Sequence, residues 1–328
     1  MTDPAALLHA MRRAVAEASV VCREVRRRDD DPARLTKADD SPVTVADFAA
    51  QAVVLRRLTD ALGPVAVVAE ESTGALQRAP ALRAKVCEAV RIVWPDASED
   101  DVLGAIDLGG AEPPSTGPWW ALDPIDGTKG FVRGEQFAIC LGRIEDGVPT
   151  FAAMGCPHLS VDPEAPATEV DRRGALYMTD GRVVTVASVE APAKTMAVAP
   201  STVGHDPAIV ARSFESGHTK VDEIQRIMDA AGLAFTELAV DSQVKYALVA
   251  SGRADVYLRR PHDPSRRDPV WDHAAGVSLV TATGRVATDI EGKALDWTAG
   301  ATLANNMGIL CAPPSLHQRL VAVTGGTT

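Results

Sequence analysis

Apolar positions recur at alternating spacings of three and four through Leu8, Met11, Val15, Ala18, Cys22 and Val25, which predicts an amphipathic opening helix. Asp3-Pro4 precedes it with a capping residue and a proline at the first helical position. From Arg26 to Asp40 the chain is charged and holds Pro32, so a solvated connection is expected there. A second helix is predicted from about Thr44 to Leu62, stopped by Gly63-Pro64, and the short apolar run Val65 to Ala69 then reads as a buried strand ending at Glu70-Glu71. Trp119, Trp120 and Leu122 predict another buried strand. Phe137 to Ile144, the Asp146-Gly147 turn and Thr150 to Cys156 predict a hairpin, with strands near Leu176 and Val183 to Val186.

From about Thr195 the pattern changes to short strands alternating with helices. Met196 to Val198 is expected as a strand, Val221 to Ala231 as a helix, Gln243 to Ala250 as a helix closed by Gly252, and Asp255 to Leu258 as a strand. Trp271 to Gly276 opens a further helix with Asp272 near its N-terminus. The expectation is an α+β domain over residues 1–194 and an α/β domain over residues 195–328.

With 46% hydrophobic and 23% charged residues, the 328-residue chain has enough apolar side chains for a full core. Its net charge of −11 argues against nucleic-acid or membrane-surface partners, so an anionic ligand needs local positive charge. Cys22, Cys87, Cys140, Cys156 and Cys311 are scattered, without a Cys-x-x-Cys pair, and read as buried free thiols. No secretory leader or membrane span is visible in the apolar pattern, and a cytoplasmic monomer is expected.

The chemistry concentrates at Asp123-Pro124-Ile125-Asp126-Gly127-Thr128, where an apolar strand ends in two carboxylates separated by a proline turn. Pro124 fixes its own φ and biases Asp123 toward extended geometry, so both acids and the Ile125 carbonyl can face one space. That donor set favours magnesium over zinc. Glu70 and Asp272 also fall at element ends, where a packed scaffold can aim them into the same cleft. Taken alone, Asp272 fits a helix N-cap and Glu70-Glu71 a solvated strand end.

Val43-Thr44-Val45-Ala46-Asp47, Glu70-Glu71-Ser72, Asp123 to Thr128 and Trp271-Asp272-His273-Ala274-Ala275-Gly276, in that order and spacing, resemble the magnesium-dependent, lithium-sensitive inositol monophosphatase superfamily. The resemblance implies a layered αβαβα sandwich of the inositol monophosphatase and fructose-1,6-bisphosphatase type. It implies two or three magnesium ions held by Glu70, Asp123, the Ile125 carbonyl, Asp126 and Asp272, with Asp47 and Thr128 handling the attacking water. Ser216-Gly217-His218, Asp241 to Tyr246 and Ala254 to Arg259 further resemble the 3'(2'),5'-bisphosphate nucleotidases within it. That closer resemblance places Ser242 and Lys245 at a non-reacting phosphate and Gly217 and His218 near adenosine. Ala69 departs from the glycine common before the glutamate pair.

A phosphate monoester dianion repels hydroxide until cations neutralise its oxygens, which agrees with the acids. One ion is expected to acidify a water that Asp47 and Thr128 orient, and another to stabilise the leaving oxygen. The Gly127 and Thr128 N–H groups suit phosphate oxygens, and Lys245 and Arg259 suit a second phosphate. Asp272 is counted with the substrate contacts as well as the metal ligands. The expected reaction is removal of the 3'-phosphate of adenosine 3',5'-bisphosphate to give AMP, with 3'-phosphoadenosine 5'-phosphosulfate as a further substrate. Two alternatives are an inositol phosphate or inositol polyphosphate 1-phosphatase and a noncatalytic nucleotide sensor.

Overall fold

The computed structural model describes residues 3–28, 34–36, 42–200, 202–214, 221–261, 263 and 265–325. Helix Pro4–Arg28 starts where Asp3 Oδ1 accepts the Ala5 N–H at 3.2 Å. It buries Met11, Val15, Ala18, Cys22 and Val25. Helix Val45–Leu62 packs beside it, and Gly63 ends that helix at φ +76°. Pairs from Glu24 to Arg27 and Arg28 support the last turn of the opening helix, so the expected connection begins later than Arg26. Part of that connection is itself paired: Arg34–Thr36 runs antiparallel to Pro42–Thr44.

Strands Val67–Ala69, Trp119–Asp126, Ala138–Glu145, Val148–Cys156, Ala175–Thr179, Val184–Ser188 and Met196–Ala197 form one sheet in that order. The first pairing is parallel and the rest are antiparallel. The expected hairpin forms, with Asp146 and Gly147 both at positive φ as a tight two-residue turn requires. Met196–Ala197 pairs with Val184–Ser188 rather than opening the second half, because its exposed residues add an edge to the first sheet. The second sheet has the order Phe235–Ala239, Ala208–Arg212, Val256–Arg259, Ile309–Ala312 and Val286–Thr288, parallel over its first three strands and antiparallel beyond.

Three apolar clusters bind these layers. Pro4–Arg28 and Val45–Leu62 pack on the outer face of the first sheet. Val244–Ala250 and Ala274–Ala282 lie between the sheets, and their nearly all-apolar sequences suit helices covered on both sides. Val221–Ala230 and Pro314–Thr324 close the far face of the second sheet. The result is the expected αβαβα order.

Candidate active site

Two neighbouring strand ends create the acidic centre. Val67–Ala69 lies parallel to Trp120–Leu122 with Ala69 opposite Leu122, so Glu70 leaves its strand beside Asp123. The Glu70 N–H reaches the Leu122 carbonyl at 3.3 Å. Pro124 cannot donate to a ladder, and the pairing with Ala138–Glu145 shifts between Asp123 and Asp126. Asp123 is only 3% exposed, and its Oδ1 has no hydrogen-bond partner among the described residues. Burial pushes the Asp123 carboxyl well above the usual range, and Glu70, Asp126, Asp272 and Asp47 push it further. Three acids from distant parts of the chain, Glu70, Asp272 and Asp47, thus join the Asp123/Asp126 pair.

Asp47 is aimed by a helix cap. Its Oδ2 accepts the Thr44 N–H at 2.8 Å and the Thr44 hydroxyl at 2.6 Å, the reciprocal half of a capping box that starts helix Val45–Leu62. The other oxygen, Oδ1, then faces Thr128, whose hydroxyl lies 3.2 Å from it and 3.2 Å from the Ile125 carbonyl. One hydroxyl proton serves one of these acceptors at a time.

The Trp271 to Gly276 segment resolves residue by residue. Asp272 ends the short 3₁₀ turn Val270–Asp272, and burial raises its carboxyl to about 6 against the pull of Arg259. Ala274 and Ala275 lie against Gly142, where a Cβ would come within 2.9 Å of both, and a Cβ at Gly276 would lie 2.2 Å from the Tyr246 ring. His273 is fully buried, with Nδ1 2.6 Å from the Tyr246 hydroxyl. Asp268, Asp272 and His273 bring one ligand atom each within 4.8 Å of one another, a set that shares only Asp272 with the expected ligands. His273 and Asp268 are already engaged with Tyr246 and Arg259, so this group reads as support for Asp272 rather than an open metal cage.

The second half reaches the centre through a tight contact. Gly127 at φ +86° would place a Cβ 2.7 Å from Ser242 Cβ, and Ser242 itself sits at φ +71°. Lys245, 3% exposed, donates to the Ser242 and Val240 carbonyls at 2.5 and 3.3 Å, lies over the Tyr257 ring, and is lowered to about 8 by burial, with Asp126 and Asp241 opposing. Arg133 of the turn-following helix Thr128–Arg133 pairs with Asp241 at 2.5 Å, and Asp241 also accepts the Phe214 N–H. Arg259 contacts Asp268 at 2.8 Å and Asp272 at 3.4 Å, rather than presenting an unpaired guanidinium. Gly217 and His218 lie outside the described residues. A cavity of ≈ 630 Å³ at the far end of helix Val244–Ala250, lined by Tyr177, His205 and Arg253 among others, includes none of the acids.

Sequence reasoning missed Gln51, which bridges the Glu71 N–H and carbonyl at 3.0 and 2.7 Å and fixes the corner after Glu70. Its one available signal was a polar residue on the apolar face of a predicted helix. The alanine at position 69 is accommodated by Gly109, where a Cβ would come within 2.6 Å of Ala69 Cβ.

The orphaned Asp123 oxygen inside a ring of carboxylates fits a divalent cation, because oxygen donors of that charge are what a hard cation requires. Residues 3–325 match the inositol monophosphatase family. Proteins named 3'(2'),5'-bisphosphate nucleotidase are similar throughout: that of Emericella nidulans is 35% identical over 88% of this chain and 89% of its own. The Schizosaccharomyces pombe protein is 33% identical over 97% and 94%. Among solved structures, CysQ from Bacteroides thetaiotaomicron, a bacterial member of that family, superposes with a TM-score of 0.60 at 20% identity, covering 93% of this chain and 96% of its own. The suhB protein of Bartonella henselae gives 0.62 at 15% identity, covering 98% and 100%.

Proposed function

The chain belongs to the inositol monophosphatase family, and from that premise we propose that it is a magnesium-dependent phosphatase removing the 3'-phosphate of adenosine 3',5'-bisphosphate to leave AMP. The phosphosulfate relative of that nucleotide is the second substrate of this reading. One observation carries it: a buried Asp123 oxygen, without a hydrogen-bond partner among the described residues, surrounded by Glu70, Asp126, Asp272 and Asp47. Glu70, Asp123, the Ile125 carbonyl, Asp126 and Asp272 would hold two or three magnesium ions. When bound, such ions neutralise phosphate oxygens and acidify water.

The remaining chemistry belongs to side chains of this chain. Asp47, pinned through Oδ2 by the cap, offers Oδ1 to a proton leaving the attacking water, directly or through the Thr128 hydroxyl. The Gly127 and Thr128 N–H groups take phosphate oxygens at the turn. In this reading residues 1–194 supply most metal ligands and residues 195–328 the nucleotide contacts. Ser242 and Lys245 meet the non-reacting phosphate, Gly217 and His218 the adenosine, and Arg259 and Asp272 border them. Lys245 has three N–H donors and gives two to carbonyls, leaving one for an anion.

Phosphate release from the bisphosphate, from inositol 1-phosphate and from a simple aryl phosphate, with magnesium and with chelator, tests this. The bisphosphate should be hydrolysed fastest and only with the cation, and Lys245→Ala should raise its KM about 10-fold or more while changing the aryl phosphate far less. Faster release from inositol 1-phosphate would move the chain to the alternative substrate class. Magnesium-dependent bisphosphate binding without turnover would identify a sensor.

A further inference from the structure

A buried chain of polar groups runs from the middle helix layer to Asp272. The Tyr246 hydroxyl lies 2.6 Å from His273 Nδ1. A ring proton on Nε2 meets a carboxylate, which can only accept, and leaves Nδ1 to accept from the Tyr246 hydroxyl. Nε2 is buried without a hydrogen bond among the described residues, and faces Asp268 Oδ2 at 3.5 Å. Asp268 Oδ1 takes Arg259 Nη2 at 2.8 Å, while Nη1 of the same guanidinium stands 3.4 Å from Asp272 Oδ2. Tyr246 and His273 are wholly inaccessible and Asp268 nearly so.

We propose that Asp268 is a positioning residue for the cation site: it holds Arg259 back, so that the guanidinium touches Asp272 weakly and leaves that carboxylate to a divalent ion. The proposal rests on Asp272 being a metal ligand. A guanidinium competes with a metal for a carboxylate, since its fork matches both oxygens and carries the same sign of charge. Here the closer contact goes to Asp268 and the longer one to Asp272. The His273 Nε2–H faces the Asp268 oxygen that Arg259 leaves unused, and Tyr246 holds the ring in that orientation. Gly276 belongs to the same device, because the Tyr246 ring occupies the space of its missing Cβ.

Calorimetric titration of magnesium into the metal-free protein reads this without turnover. Asp268→Asn should weaken magnesium binding about 10-fold, the scale of outer-shell losses, because the released guanidinium closes on Asp272. Asp268→Asn/Arg259→Gln should recover most of that loss, and Arg259→Gln alone should bind at least as tightly as the parent. A double variant as weak as Asp268→Asn or weaker, or parental affinity in Asp268→Asn, overturns the proposal. If Asp268→Asn fails to fold by circular dichroism, Arg259→Gln decides: a loss of about 5-fold or more overturns it. Asp272→Asn separates the premise: unchanged binding there removes Asp272 as a ligand, whereas weakened binding there beside parental Asp268→Asn defeats the positioning role alone.

Discussion

At the scale of single residues, the site is built by giving each carboxylate oxygen a separate duty. Asp47 uses one oxygen to start a helix and the other to meet Thr128, so the capping box that makes the element also aims the chemistry. Asp123 is the opposite case, with a buried oxygen that the described protein leaves unsatisfied. Replacing it by asparagine removes one charge from the cluster and, on the proposed reading, one ligand from the cation. Asp123→Asn is therefore expected to lower turnover by at least about 100-fold, while the metal-free protein gains about 1 kcal/mol as repulsion with Glu70, Asp126, Asp272 and Asp47 falls. Phosphate release and thermal melting in chelator measure the two effects, and a variant with parental turnover would remove Asp123 from the site.

At the scale of elements, small residues decide how closely the layers approach. A methyl group at Gly276 would collide with the wholly buried ring of Tyr246. Gly276→Ala should destabilise the fold by about 2 kcal/mol, in the range of overpacked cores, seen as a lower urea midpoint with an unchanged slope. Much at this scale was legible in the chain: the two opening helices, the Asp146-Gly147 hairpin and the strands delivering Glu70 and Asp123 each carry a local signal. The three helices Gly74–Gln77, Pro80–Val90 and Glu99–Asp107 were not read, and neither were strands Ala208–Arg212 and Ile309–Ala312. Gly74–Gln77 is too short, and Ile309–Ala312 too fully buried, for alternation to distinguish one side from the other, whereas Pro80–Val90, with Leu82, Val86 and Val90 at helical spacing, and Glu99–Asp107, with its Ser98–Asp101 capping box, did carry local signals. The Arg259 pairing was hidden for another reason: its choice of Asp268 and Asp272 over a phosphate is made by tertiary packing, which spacing along the chain does not encode.

At the scale of the whole molecule, both sheets contribute to one charged centre, and its folding must depend on pH and cation together. The Asp272 carboxyl, raised to about 6 from an ordinary 3.8, binds its proton more tightly folded than unfolded. Its contribution to stability is therefore complete below about pH 4 and disappears as pH rises through about 6. Asp123 shifts in the same direction. The metal-free protein should lose melting temperature between pH 4 and 7 relative to Asp272→Asn, and magnesium should restore it near neutrality. Parallel curves for the two proteins would contradict this. No helix among the described residues is long and apolar enough to cross a membrane, and all five cysteines are buried and free. Cys140 pairs directly with Asp123 across the first sheet, and burial holds its thiol well above the ordinary range. A sulfur placed there is silent to alkylating reagents while the strands stay together, so its labelling rate counts how often the acidic centre comes apart.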